Sequence, residues 1–179
     1  MTDAAVVKRV LEGDVEAFGI LVDRYYDRYA RYAVHVVGNR EDAEEAVQDA
    51  FLRAYRALGQ YQERERFAAW LYRIVVNQCR SVLAQRRREE TALVDVDPAT
   101  APLAAASTAE EHVDDRLEVL LARLPVEQRE ALVLKYMEDM TFEEMSVLTG
   151  AGVSALKMRV RRALDRLRAM LPELPYVLL

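Results

Sequence analysis

Six cationic side chains crowd the last long amphipathic segment of the chain: Lys157, Arg159, Arg161, Arg162, Arg166 and Arg168. Asp165 is the only acid among them. Ammonium and guanidinium groups neutralise backbone phosphates, and the planar guanidinium also pairs with base edges. The cations leave a second pattern between them. Leu156, Val160, Leu164, Leu167 and Leu171 recur at spacings of four, four, three and four, which predicts one apolar stripe along a helix. Arg159, Arg162 and Arg166 are expected opposite that stripe, with Lys157, Arg161 and Arg168 flanking it. Such a helix can lie in a DNA major groove with its cations outward.

A helix of this kind must be held by another. The stretch just before it supplies one, in TFEEMSVLTGAGVSALKMRVRRALDRLR, residues 141–168. Thr141 is followed three residues later by Glu144, the spacing of a capping box that satisfies the free amides of a helix start. Met145 and Leu148 give this short helix its apolar face. Gly150 and Gly152 permit a tight turn, and the basic helix is expected to begin at Val153 or Ser154. Capped short helix, glycine turn and basic second helix together are the layout of a helix-turn-helix. A merely solvated arginine-rich face is the plainer alternative, and the combination of the three features favours DNA binding.

The remaining elements are also helical. Six glycines and five prolines in 179 residues are few, and alanine, leucine, arginine and glutamate dominate. Val6, Val10 and Leu11 start one helix, which Gly13 can stop, and Asp14 can cap the next. Phe18, Leu21, Val22, Tyr25, Tyr29 and Tyr32 form its apolar face, and Gly38 ends it. Asn39 and Asp42 then start a helix with Ala43, Val47, Ala50, Phe51, Ala54 and Leu58 inward and Asp42, Glu45 and Asp49 outward. After a loop around residues 59–66, a further helix is expected from Phe67 to Arg88 with Leu71, Ile74, Val75 and Leu83 inward. Leu117, Leu120, Leu121 and Leu124 mark another, and Pro125 suits the first turn of the one that follows.

Charge is unevenly spread. The formal net charge is −5, which argues against avid, indiscriminate DNA binding by the free protein. From Glu89 to Asp115 there are eight acids and no lysine or arginine, directly after Arg86, Arg87 and Arg88. Local potential decides contact, so basic patches survive in an acidic chain. Residues 91–109 lack periodicity and read as an extended linker. The expected organisation is therefore all-α: a helical domain at 1–90, a flexible acidic linker at 91–112 and a second helical domain at 113–179. One cysteine, Cys79, excludes an internal disulfide, and the two histidines, His35 and His112, lack ligand partners at metal spacing. No metal, cofactor or catalytic residue is expected, and no segment reads as a membrane span or a signal peptide, which places the chain in the cytoplasm.

Three segments in order carry a family resemblance: DAEEAVQDAFLRAYRAL (42–58), FAAWLYRIVVNQCRSVLAQRRR (67–88) and LPVEQREALVLKYMEDMTFEEMSVLTGAGVSALKMRVRRAL (124–164). The chain resembles a bacterial RNA polymerase sigma factor of the extracytoplasmic-function group (group IV) of the sigma-70 family. The resemblance covers nearly the whole length, least so in the linker, and there is no room for the extra domain of the larger sigma factors. It implies a non-enzymatic subunit that brings core polymerase to promoters. Asp42, Glu45, Gln48 and Asp49 would dock the coiled coil of the largest polymerase subunit, and the polymerase flap is a second implied contact. Tyr61, Phe67, Trp70, Tyr72, Arg73 and Asn77 would capture the melted −10 strand, with Arg80, Arg86, Arg87 and Arg88 on its backbone. Ser154, Lys157, Met158, Arg159, Arg161 and Arg162 would meet the −35 duplex. An anti-sigma protein is the implied regulator.

The linker length fits this division. The resemblance implies promoter elements about 17 base pairs apart, about 58 Å. Nineteen residues reach about 60–68 Å when extended. The chain departs from the family pattern at Ser81, where an acid is common, and at Ala151 and Ala155, in place of valine and threonine. The apolar tail, Pro172–Leu179, is expected to pack on the second domain. A stand-alone helix-turn-helix regulator and a protein-binding helical adaptor are the competing readings.

Overall fold

A computed structural model describes residues 1–62, 66–93 and 112–170. These residues divide between two units, within Met1–Ala105 and Ala106–Leu179. Both are built from helices, and no strand occurs among the described residues. The expected linker, apart from its ends, and the tail Pro172–Leu179 lie outside the described residues, as do residues 63–65 of the expected loop.

In the first unit α1 spans Asp3–Leu11, capped by the Thr2 hydroxyl, which accepts from the Ala5 amide. Asp14 then caps a single 3-10 turn, Val15–Ala17, by accepting from the Ala17 amide. The next helix, α2 (Phe18–Val37), follows that turn directly. Gly38 ends α2 at φ 76°, a left-handed conformation in which a β-carbon is strained. One residue later the Asn39 side chain accepts from the Asp42 amide at 3.0 Å and starts α3, Arg40–Ala57. A 3-10 turn at Leu58–Gln60 closes α3, and α4 runs from Phe67 to Leu93. Helix α4 therefore continues past Arg88 and through Thr91–Leu93, residues expected to open the linker. Arginine and glutamate are good helix formers, so a change in charge sign was no helix stop.

The first core lies where α2, α3 and α4 pack on one another. Leu21, Tyr29, Tyr32, Ala43, Val47, Ala50, Leu71, Val75, Val76 and Cys79 are at most 1% exposed. Each large apolar side chain so buried contributes about 1.5–3 kcal/mol. The Tyr29 hydroxyl donates to the Ala68 carbonyl at 2.9 Å, which ties the start of α4 to α2.

In the second unit α5 spans His112–Ala122, α6 Val126–Tyr136, α7 Phe142–Thr149 and α8 Val153–Met170. Pro125 stands at the N-cap of α6, one position before its first turn, and its carbonyl accepts from the Gln128 and Arg129 amides. Helices α6, α7 and α8 pack together around Leu134, Met145, Leu156 and Ala163. Arg129 and Glu130, on α6, are both buried, which the alternation of the sequence does not announce.

Candidate nucleic-acid interface

One face of α4 gathers side chains of mixed polarity. Trp70, Arg73, Asn77 and Arg80 are spaced three, four and three apart, so they form a single helical row. Asn77 is exposed, while the other three are half-buried. Ser81 donates its hydroxyl to the Asn77 carbonyl at 2.9 Å. The same row continues to exposed Arg87. Opposite it, Leu71, Val75 and Cys79 fill the core.

Aromatic packing fixes the upper end of this row. Tyr61, from the segment after α3, places its ring 5.2 Å from Trp70 and 5.6 Å from Phe67. Phe67 is buried and lies 6.0 Å from Tyr25, which stacks on Tyr29 at 5.6 Å. Tyr29 in turn stacks on buried Tyr72 at 5.2 Å. The rings thus run from the core to the half-exposed pair Tyr61 and Trp70. Burial pushes the Tyr25 phenol up to about 12, helped by its hydrogen bond to Asp3 at 2.5 Å, so this ring stays neutral. Exposed aromatic surface beside guanidinium groups and an amide has the composition that stacks, holds and reads an unpaired strand.

The acidic row lies beside α4. Asp42, Glu45 and Asp49 line a groove of about 510 Å³ between α3 and α4, with Arg53, Gln78 and Arg86. Gln48 is exposed on α3 but does not line it. Arg86, expected with the DNA-facing arginines, lies on this side, its guanidinium 3.8 Å from the Asp42 carboxylate. Gln78 donates to the Asp49 carboxylate at 3.0 Å.

In the second unit the capping box forms as the sequence requires. The Glu144 carboxylate accepts from the Thr141 amide and hydroxyl, both at 2.8 Å, and the Glu144 amide donates back to that hydroxyl at 3.2 Å. These bonds, with nearby Lys135, hold the Glu144 carboxyl below its ordinary value. Gly150 closes α7 at φ 71°. Gly152 is not left-handed; its carbonyl instead accepts from the Leu156 amide in the first turn of α8 at 3.0 Å.

On α8 the buried residues are Leu156, Val160 and Ala163. Ser154, Lys157, Met158, Arg161 and Arg162 are exposed. Arg159 is half-buried, not opposite the core as the spacing was read. The presence of Ala163 in the buried face turns that face toward Arg159, and alanine gives a weak signal in a leucine stripe. The Lys157 ammonium lies 5.6 Å from the centre of the Phe142 ring, which also carries Lys135 at 5.4 Å. Phe142 thereby joins α6, α7 and α8.

Two family models match this arrangement. Residues 21–89 match Sigma-70 region 2 and residues 114–167 match Sigma-70, region 4, together well over half of the chain. The ECF RNA polymerase sigma-E factor of Escherichia coli (strain K12) is 31% identical over 176 residues, 91% of this chain and 91% of its own. The chain belongs to the extracytoplasmic-function group of the sigma-70 family. The sigma factor is also 32% identical to the RNA polymerase sigma factor CarQ of Myxococcus xanthus, over 94% of this chain and 97% of CarQ. Among solved structures it is similar to CnrH in complex with the cytosolic domain of CnrY: 27% identical, TM-score 0.66, covering 96% and 97% of the two chains. It shares its fold with RpoE of Bartonella quintana, at TM-score 0.68 and 24% identity over 88% and 98%.

This membership makes the protein a transcription-initiation factor of the sigma type. Most sequence-predicted residues fall on three surfaces: the α4 row with Tyr61, α3 together with Arg86, and α8; Phe67 and Tyr72 are buried in the first core. Gln78, Lys135 and Phe142 were missed. Gln78 reads as one more polar residue in α4, and Phe142 as ordinary core. No helix among the described residues is long and apolar enough to cross a membrane.

Proposed function

We propose that this sigma factor binds core RNA polymerase through its first unit, reads −35 DNA as duplex with α8, and captures the −10 element as a melted strand with α4. The polymerase supplies all bond-making chemistry. The observation that carries the reading is the row Trp70, Arg73, Asn77 and Arg80 beside Tyr61, because a duplex reader has no use for a half-buried aromatic platform. In it, Trp70 and Tyr61 stack on unpaired bases, Asn77 meets a base edge, and Arg73, Arg80 and Arg87 hold phosphates. Phe67 and Tyr72 hold the platform from beneath. Arg86 meets upstream phosphate only by leaving Asp42.

On α8, Ser154, Lys157 and Met158 stand nearest the N-terminus, where such helices reach base edges. Arg159, Arg161 and Arg162 hold phosphate further along. Asp42, Glu45, Gln48 and Asp49 offer carboxylates and an amide to a basic coiled coil of the largest polymerase subunit, and the second unit meets the flap. The first domain ends near residue 90 and the second begins near residue 113, with the acidic segment between them as linker. CnrH is held by the cytosolic domain of a second protein, and an anti-sigma partner of that kind would hide both DNA surfaces here. Action on DNA and polymerase places the protein in the cytoplasm.

Run-off transcription with purified core polymerase and a promoter library tests this reading. Transcripts should appear only when the protein is added, from starts that share two spaced motifs. Failure to initiate, with specific duplex binding by the protein alone, would favour a stand-alone helix-turn-helix regulator. The match of residues 21–89 to region 2 disfavours that alternative.

A further inference from the structure

Gln78 sits at the seam between the two helices of the first unit that carry its functional surfaces. It is 6% exposed, and its side-chain amide nitrogen donates to the Asp49 carboxylate at 3.0 Å. Its other end is different. Gln78 Oε1 is buried and accepts no hydrogen bond among the described residues. A buried acceptor without a donor weakens a fold, and a leucine of similar volume would leave nothing stranded. Folding alone therefore does not account for an amide at this position.

Asp49 supplies the missing reason. Its carboxylate is half-exposed and lines the α3–α4 groove with Asp42 and Glu45. A carboxylate on a free side chain must be ordered when a cation docks against it, whereas one already held has less freedom to lose. We propose that Gln78 is a positioning residue for polymerase docking: its amide holds the Asp49 carboxylate in the orientation that a basic segment of the polymerase meets. The inference rests on the reading of the acidic α3 face as the docking surface. It adds to that surface a residue of α4 that is itself almost wholly buried.

The test uses the full chain and purified core polymerase, with affinity measured by fluorescence titration. Four proteins are compared: wild type, Gln78→Leu, Asp49→Asn and the double variant. Gln78→Leu should weaken binding about 2- to 10-fold, the cost of ordering one side chain. Asp49→Asn should weaken it at least as much, and the double variant should be no weaker than Asp49→Asn alone. The melting temperature of Gln78→Leu should equal or exceed that of wild type, because the stranded acceptor is gone. A residue that merely supported the fold would lower stability and affinity together. Gln78→Met, unbranched and of similar length, carries the same expectations if leucine does not fold.

Unchanged affinity in Gln78→Leu, with Asp49→Asn weakened, overturns the inference and leaves the docking surface standing. Losses that add in the double variant, or that track a fall in melting temperature, also overturn it. Unchanged affinity in Asp49→Asn removes the docking reading itself.

Discussion

Helices α4 and α8 both face DNA on the proposed assignment, yet they use burial in opposite ways. On α8 the core side chains are Leu156, Val160 and Ala163, while Lys157, Arg161 and Arg162 are exposed and Arg159 alone of the four is half-buried. On α4 the two roles meet in neighbouring residues: Phe67 is 3% exposed, Trp70 is half-buried and packs on it at 5.6 Å, and Asn77 is exposed two turns on. On that assignment the difference matches the two ligands. A duplex presents its edges and phosphates outward, so projecting charges suffice to read it. An unpaired base needs an apolar face, and such a face in water is stable only when partly built into the core. Substitutions of the exposed cations of α8 should therefore act chiefly on DNA, and those on α4 should divide between DNA and the fold.

The sharpest break of this contrast is Trp70→Ala. Loss of a stacked base is worth about 1–3 kcal/mol, so open complexes should fall about 5- to 150-fold, with some loss of thermal stability. Permanganate reactivity of −10 thymines measures the first and a melting curve the second. An unchanged footprint would leave Trp70 as a packing residue only. Asn77→Ala should separate the roles on the same helix. Open-complex formation should drop by up to about tenfold, as for one base-edge contact, while stability stays within about 0.5 kcal/mol and polymerase affinity is retained. Equal loss of polymerase affinity would make Asn77 structural.

Lys157→Ala tests the other side. Use of promoters that depend on −35 should fall several-fold, as for one base-edge contact. An unchanged promoter profile would strike it from the contact residues. The smallest effect concerns the helix that supports α8. The Glu144 carboxyl titrates below its ordinary value of 4.5 in the folded protein. Its contribution to stability is thus complete above pH 4.5 and is lost as pH falls through the depressed folded value. Glu144→Gln should show a shallower loss of melting temperature over that acid range than wild type. Parallel curves for the two proteins would mean that the capping box does not set the acid limit.

The same contrast explains what the sequence made legible. The capping box at Thr141 and Glu144, the turn at Gly150 and the exposure of Lys157 and Arg161 depend on residues a few positions apart, and local spacing suffices to find them. The expected placement of Arg159 failed because the buried face of α8 includes Ala163, whose small side chain leaves little trace in a pattern read from leucines. On α4, spacing placed Leu71 and Val75 inward correctly. It gave no warning of Val76, of the half-buried arginines or of Gln78, because those depend on α2 and α3 packing from two sides. The position of Arg86 was likewise out of reach, since its partner Asp42 lies on a different helix. The family resemblance supplied what periodicity did not: roles for Tyr61, in an expected loop, and for Trp70, whose side chain alone reads as core.

Cys79 is the only thiol in the chain, and it is fully buried in the first core, on the side of α4 away from the Asn77 row. An alkylating reagent reaches it only when that core opens. The rate of labelling is therefore a clock for local opening of α4, set by nature on its core side. Run with and without promoter strand or polymerase, the same clock reports how strongly each partner holds the helix shut.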